Sequence, residues 1–229
     1  MTGRYAVTSP PALMRETFGY VEEPDFPPRY NIAPTQPVPI LRGERGADGR
    51  TVRHFTLMRW GFIPSFVKDP KGTSAIINAR AETASGKPSF RAALARRRCV
   101  FMADAFYQWA GDPPRRRAFM VRRGDNAPFG MAGIWECWAS PYGDEIDTAC
   151  VLTTSANGTL AAVAERMPVI IERADLGRWL DGGETDTHEA MRLARPAAED
   201  ALELVEIGDE VNRAANDGPA VQLPITSKL

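Results

Sequence analysis

Residues 96–109 read RRRCVFMADAFYQW, and the apolar run CVFMA (99–103) within them has strand character. Similar short runs recur along the chain: VPILR (38–42), VRHFTLM (52–58), RAFMV (117–121), FGMAGIW (129–135), TACVLTT (148–154), PVII (168–171) and ALELVEI (201–207). They are rich in β-branched and aromatic residues and too short for helices of ordinary length. Turn signals stand between them at Pro10-Pro11, Pro27-Pro28, Gly43 to Gly49, Pro113-Pro114 and Gly182-Gly183. Helical patterns are fewer. One starts at Ser89, read as its N-cap, and runs through Phe90, Ala93, Leu94 and Arg98; others cover 157–163, 174–180 and 186–194. Many strands with scattered helices point to an α+β fold around a large, mixed, mainly antiparallel sheet. A chain of 229 residues that is 44% hydrophobic can bury a full core, so one domain over 1–229 is expected.

Composition excludes several classes. There is no stretch of about 18 apolar residues, so no membrane span is expected. A charged segment followed by an apolar run is also missing from the N-terminus, so no signal peptide is read there. Cys99, Cys137 and Cys150 show no paired metal spacing and read as reduced thiols, which suits a cytoplasmic protein without metal or cofactor. Net charge is −1, but it is unevenly spread: residues 1–130 hold 21 Lys+Arg against 11 Asp+Glu, and residues 131–229 hold 7 against 18. Nearly all the positive charge is arginine, whose fork suits phosphate. Two readings of this asymmetry stay open: a basic surface for a polyanion, or two halves that neutralise each other.

Five segments carry more specific information. They are MTGRY (1–5), YNIAPTQPVPIL (30–41), MRWGFIPSF (58–66), INARAET (77–83) with RRRCVFMADAFYQW (96–109), and TTSANGTLAAVAERMPVII (153–171). Together they resemble the SRAP family, the SOS-response-associated peptidases or abasic-site-processing proteins. Residues 209–224, DEVNRAANDGPAVQLP, resemble that family's closing segment. The resemblance implies a curved, barrel-like sheet with flanking helices and the N-terminus in a central groove. It also implies a chemistry. The family's second residue is a cysteine that becomes the N-terminus. Its amine attacks the aldehyde of an abasic site, and its thiol closes a thiazolidine ring, with a glutamate and a histidine moving protons.

This chain departs at each of those positions. Thr2 stands in place of the cysteine, and its hydroxyl is a weak nucleophile without a base. Gln108 in FYQW replaces the glutamate, and an amide hydrogen-bonds but does not exchange protons. Ala164 in AERMP replaces the histidine. Met102, Ala105 and Glu165 differ from the family's proline, glycine and aspartate, and the two histidines, His54 and His188, lie outside every motif.

The residues that match the family's DNA-holding surface are kept: Arg4, Asn31, Pro34, Trp60, Asn78, Arg80 and Arg166. Trp60 is expected to stack on an exposed base, an interaction worth roughly 1–3 kcal/mol. Single-stranded or abasic-site DNA is therefore the expected partner. The same residues also have structural readings: Trp60 as core, Asn78 as a loop holder, and Arg80 as an ion-pair partner of Glu82 or Glu165. Four functions follow from the resemblance. The first is a DNA-damage-response protein that binds single-stranded or abasic DNA without the crosslink. The second is a residual lyase working through the Thr2 amine once Met1 is removed. The third is an N-terminal autopeptidase, and the fourth is a binding module that reuses the groove for another ligand.

Overall fold

The computed structural model describes residues 2–70, 74–112, 116–182 and 186–225. Met1, the Pro113-Pro114 turn, Arg115 and Gly183 lie outside these residues. In chain order the strands are β1 (Tyr5–Val7), β2 (Arg29–Ile32), β3 (Pro37–Arg45), β4 (Thr51–Trp60), β5 (Asn78–Arg80), β6 (Arg98–Ala103), β7 (Ala105–Ala110), β8 (Arg117–Arg123), β9 (Phe129–Ala139), β10 (Glu145–Ser155), β11 (Arg166–Pro168), β12 (Ile170–Ile171) and β13 (Leu202–Ile207). The helices are α1 (Pro11–Phe18), α2 (Ala81–Ala84), α3 (Pro88–Arg96), α4 (Gly158–Ala161), α5 (Leu176–Leu180) and α6 (Thr187–Met191).

Strands β10, β4, β3, β6 and β9 pair in sequence, and β9 pairs again with β10, which closes a five-stranded barrel. Only the β10–β4 edge of this ring is parallel. The expected mixed, mainly antiparallel, barrel-like α+β fold is what the chain adopts. A barrel this small has little interior. Gly133 on β9 answers that limit: a Cβ there would sit 2.7 Å from the Phe101 ring and 2.9 Å from the Cys150 carbonyl.

A second sheet, in the order β13-β8-β7-β1-β2, covers the barrel. Strand periodicity gives it two faces. Tyr5, Ile32, Phe106 and Val121 join the main core with the barrel residues. Ala6, Tyr107, Met120 and Ile207 face the other way and pack under Val211 and Val221 of the closing segment.

Several sequence expectations shift in detail. α3 begins at Pro88 with Lys87 at its cap position, so Ser89 is not the N-cap. Proline at the first helical position presets φ and has no N–H to lose. PVII is not one strand. Val169 turns from the Leu152 carbonyl toward Ala132, so β11 pairs with β10 and β12 pairs with β9. The helix expected over 157–163 is the single turn α4, capped by Asn157, whose side chain accepts from the Leu160 N–H.

Candidate functional site

The antiparallel register of β1 and β7 sets Tyr5 opposite Phe106, and the Tyr107 N–H reaches the Arg4 carbonyl. Continuing that register brings the N-terminal residues alongside Gln108. The Gln108 side chain points to the barrel face and is 2% exposed. Its Nε2 donates to Thr2 Oγ1 at 3.2 Å and to the Arg166 carbonyl at 3.2 Å. Thr2 is fully buried. From the other sheet, β5 runs parallel on β10 with Asn78 beside Val151 and Arg80 beside Thr153. Asn78 Nδ2 donates to the Thr2 carbonyl at 2.7 Å, while its Oδ1 is buried without a partner among the described residues. The site is thus a seam between the two sheets, stitched by two side-chain amides onto Thr2.

Around Thr2 the seam holds a hydroxyl, two amides and two backbone carbonyls, and none of these groups titrates near neutral pH. Ala164 follows α4 on the segment leading into β11, with its N–H bonded to the Leu160 carbonyl, and its methyl carries no proton to move. The Arg166 guanidinium is committed to partners other than Thr2. It forms a two-pronged pair with Glu82 (3.1 and 2.8 Å) and bonds the Thr153 carbonyl at 2.5 Å. The Arg166 hydrogen bond holds the Glu82 carboxyl below its ordinary range. Arg80, two residues beyond Asn78, is exposed and makes no side-chain bond among the described residues.

The structure brings together Thr2, Gln108, Asn78 and the Arg166 backbone, and it separates other residues expected with them. Trp60 is fully buried, edge-on to Tyr5 at 5.4 Å, and its Nε1 donates to the Ile77 carbonyl. It is a core residue that fixes the entry into β5, so it offers no face to a base. Arg4 and Asn31 fall on the outer face of the second sheet, opposite Gln108. Arg4 bonds Asn31 Oδ1 (3.0 Å) and the Val211 carbonyl (2.8 Å). Asn31 Nδ2 serves the carbonyls of Val211, Arg213 and Asn216 at 2.9–3.1 Å. Both residues clamp the closing segment. Pro34 shapes the turn whose next residue, Thr35, takes a left-handed conformation with φ of 72° and donates to the Trp60 carbonyl.

Ion pairs favour the second reading of the charge asymmetry. Arg29, Arg117, Arg122 and Arg123 pair with Asp217, Glu206, Glu203 and Glu172, so N-terminal arginines meet C-terminal acids within the molecule. Residue patterns also underrated Phe66. It is 65% exposed, on the segment between β4 and β5. Its place in MRWGFIPSF, six residues after Trp60, is the one signal of it in the sequence.

The profile described as SOS response associated peptidase (SRAP) matches residues 1–214. This chain belongs to the SRAP family. It is 33% identical over 223 residues to the abasic site processing protein YoqW of Bacillus subtilis strain 168, which covers 96% of this chain and 97% of that protein. It is 30% identical over 238 residues to the abasic site processing protein HMCES of Rattus norvegicus, across 88% of this chain and 67% of the rat protein. A crystal structure of a Bacteroides thetaiotaomicron protein superposes with a TM-score of 0.83 at 22% identity, covering 96% of this chain and 98% of that one. That last likeness is one of fold. No helix among the described residues is long and apolar enough to cross a membrane.

Proposed function

We propose that this SRAP member binds abasic or single-stranded DNA of the DNA-damage response without forming the thiazolidine link. The observation that carries the proposal is the seam itself. Asn78 keeps its hold on Thr2 and Arg80 stays exposed beside it, while the Thr2 hydroxyl, fully buried, is fixed by the Gln108 amide. Neither side chain bonded to Thr2, the Asn78 and Gln108 amides, can move a proton. YoqW and HMCES are named for abasic site processing, which supports the ligand class. Exposed Phe66 takes the base-stacking role first expected of Trp60, since an aromatic must show its face to stack on a base.

The test uses single-stranded DNA with one abasic site, run on native and denaturing gels. The expected result is a native shift that vanishes in denaturant and weakens steeply with salt as counterions are released. Thr2→Cys alone leaves this unchanged. Thr2→Cys with Gln108→Glu and Ala164→His produces a denaturant-resistant band. A folded triple variant that binds no DNA overturns the proposal.

One observation favours a second reading, residual Schiff-base chemistry. The unpartnered Asn78 Oδ1 lies next to Thr2, where it would accept from a free Thr2 amine after Met1 removal. Borohydride trapping of the protein on abasic DNA separates the two readings.

A further inference from the structure

Strand pairing places two arginines on the face from which Asn78 reaches Thr2. Asn78 and Arg80 on β5 stand beside Val151 and Thr153 of β10, and Arg166 on β11 stands beside Ser155. Paired residues point the same way and alternate residues share a face, so Asn78, Arg80 and Arg166 project from one side of the sheet. Arg166 is anchored along one edge: its Nε donates to Thr153 Oγ1 at 3.3 Å and its Nη2 to the Thr153 carbonyl at 2.5 Å. Its Nη1–Nη2 edge is taken by Glu82, whose two oxygens accept at 3.1 and 2.8 Å. The Arg166 side chain is 16% exposed and that of Glu82 is 48% exposed, so the carboxylate forms the solvent side of the pair. A carboxylate and a phosphodiester take the same two-pronged geometry on a guanidinium. Glu82 thus occupies the position that a backbone phosphate would take on Arg166. Arg80, on the same face, is exposed and has no such occupant among the described residues.

We infer that Glu82 is an internal competitor for the DNA backbone: its carboxylate fills the Arg166 fork and must leave before a phosphodiester can enter. The inference rests on the DNA-binding reading above and deepens it by naming a residue that sets affinity. An ion pair with a half-exposed member is weakly held and is screened by salt, so the exchange is accessible. The guanidinium needs no rearrangement, because Thr153 holds it when Glu82 swings out. Glu82 lies on the four-residue helix α2, so its side chain turns into water without disturbing a strand. Arg80 is then the open phosphate contact and Arg166 the covered one. A strand gripped through Arg80 while Glu82 keeps Arg166 is held less tightly than the two arginines together allow, and it leaves correspondingly faster.

The experiment follows binding of single-stranded DNA that carries a tetrahydrofuran abasic analogue and a terminal dye, by anisotropy across a salt series, with thermal melts to check folding. Glu82→Gln removes the charge and keeps an acceptor for Arg166. It is expected to bind about three- to ten-fold tighter than the native protein at low salt and to steepen log affinity against log salt by about 0.7, the single-strand value for one added phosphate. Glu82→Ala, which empties the fork, gives the same steepening. Arg166→Gln added to Glu82→Gln returns the slope to the native value. Glu165→Gln removes an equal charge at the exposed residue next to Arg166 and leaves the slope unchanged. If the native protein binds DNA and both Glu82 variants keep its slope, or Glu165→Gln steepens it equally, the competitor is refuted while DNA binding stands. If neither the native protein nor the Glu82 variants bind DNA at low salt, the functional reading falls and the inference with it.

Discussion

Gln108→Glu tests the seam most directly. The Gln108 amide gives one hydrogen to Thr2 Oγ1 and one to the Arg166 carbonyl, at 2% exposure. An ionised carboxylate in the same place can only accept. The Thr2 hydroxyl can turn and donate to it, but the Arg166 carbonyl is then left facing a negative charge. An unmade bond of this kind costs about 1–3 kcal/mol, more beside a charge. Protonation restores the donor. The cost of holding a carboxyl protonated at pH 7 sets an upper bound: about 1.36 kcal/mol per unit over the roughly 2.7 units above an ordinary glutamate, or about 3.7 kcal/mol. The variant is therefore expected to lose about 2–3.5 kcal/mol at pH 7. The introduced carboxyl has a raised folded-state pKa. Its stability is fully present below the unfolded pKa and is lost as pH rises toward the folded one. Thermal melts of the native and variant proteins should coincide near pH 4 and diverge toward neutrality, by about 2–4 °C per kcal/mol for a chain of this size. A Tm difference independent of pH, or no difference at pH 7, refutes the seam geometry.

Two further outcomes follow from the closing segment. Asn31→Ala removes a fully buried side chain that serves three carbonyls and Arg4, and should cost about 3 kcal/mol while leaving DNA affinity at low temperature unchanged. Unchanged Tm with lost DNA affinity would return Asn31 to the ligand surface. Burial raises the Asp217 carboxyl, but Arg29 and the backbone N–H groups of Tyr30 and Asn31 more than offset it and hold it below its usual range. Its contribution is present above about pH 4 and fades as pH falls through the lower folded value, so Asp217→Asn should cost about 2 kcal/mol at pH 7 and progressively less in acid, read by denaturant melts.

The barrel was legible because each of its strands carries a run of five to seven residues with strand character, bounded by turns. All eight sequence-read runs fall on strands, although PVII is divided between two. The seam's strands were not. β1 and β5 have three residues each, too few for periodicity to show, and AFYQWA of β7 ends in polar and half-buried positions. The motif reading nevertheless assembled Thr2, Gln108 and Asn78, since they share one family pattern. It failed for Arg4, Asn31 and Trp60 because a motif records that a residue is kept, not which face it takes. One residue of alternation sends Arg4 to the closing segment and Tyr5 to the barrel, and only strand pairing decides that.

The three replacements at the site are best understood jointly. A cysteine thiol, a carboxyl and an imidazole in this seam would form a set whose protonation states depend on one another. At the buried positions 2 and 108, a thiol or a carboxyl left without its partner is costly as a charge and as an unpaired donor alike. The side chains hydrogen-bonded to Thr2 among the described residues are the Asn78 and Gln108 amides, and the Gln108 amide meets both acceptors it faces. Thr2 and Gln108 therefore fit one another as a neutral hydrogen-bonded pair. The seam still docks the N-terminal residues between the sheets through Asn78. The hydrogen bonds that Gln108 and Asn78 make to Thr2 tie β7 and β5 to the start of β1 with no proton-moving side chain among them.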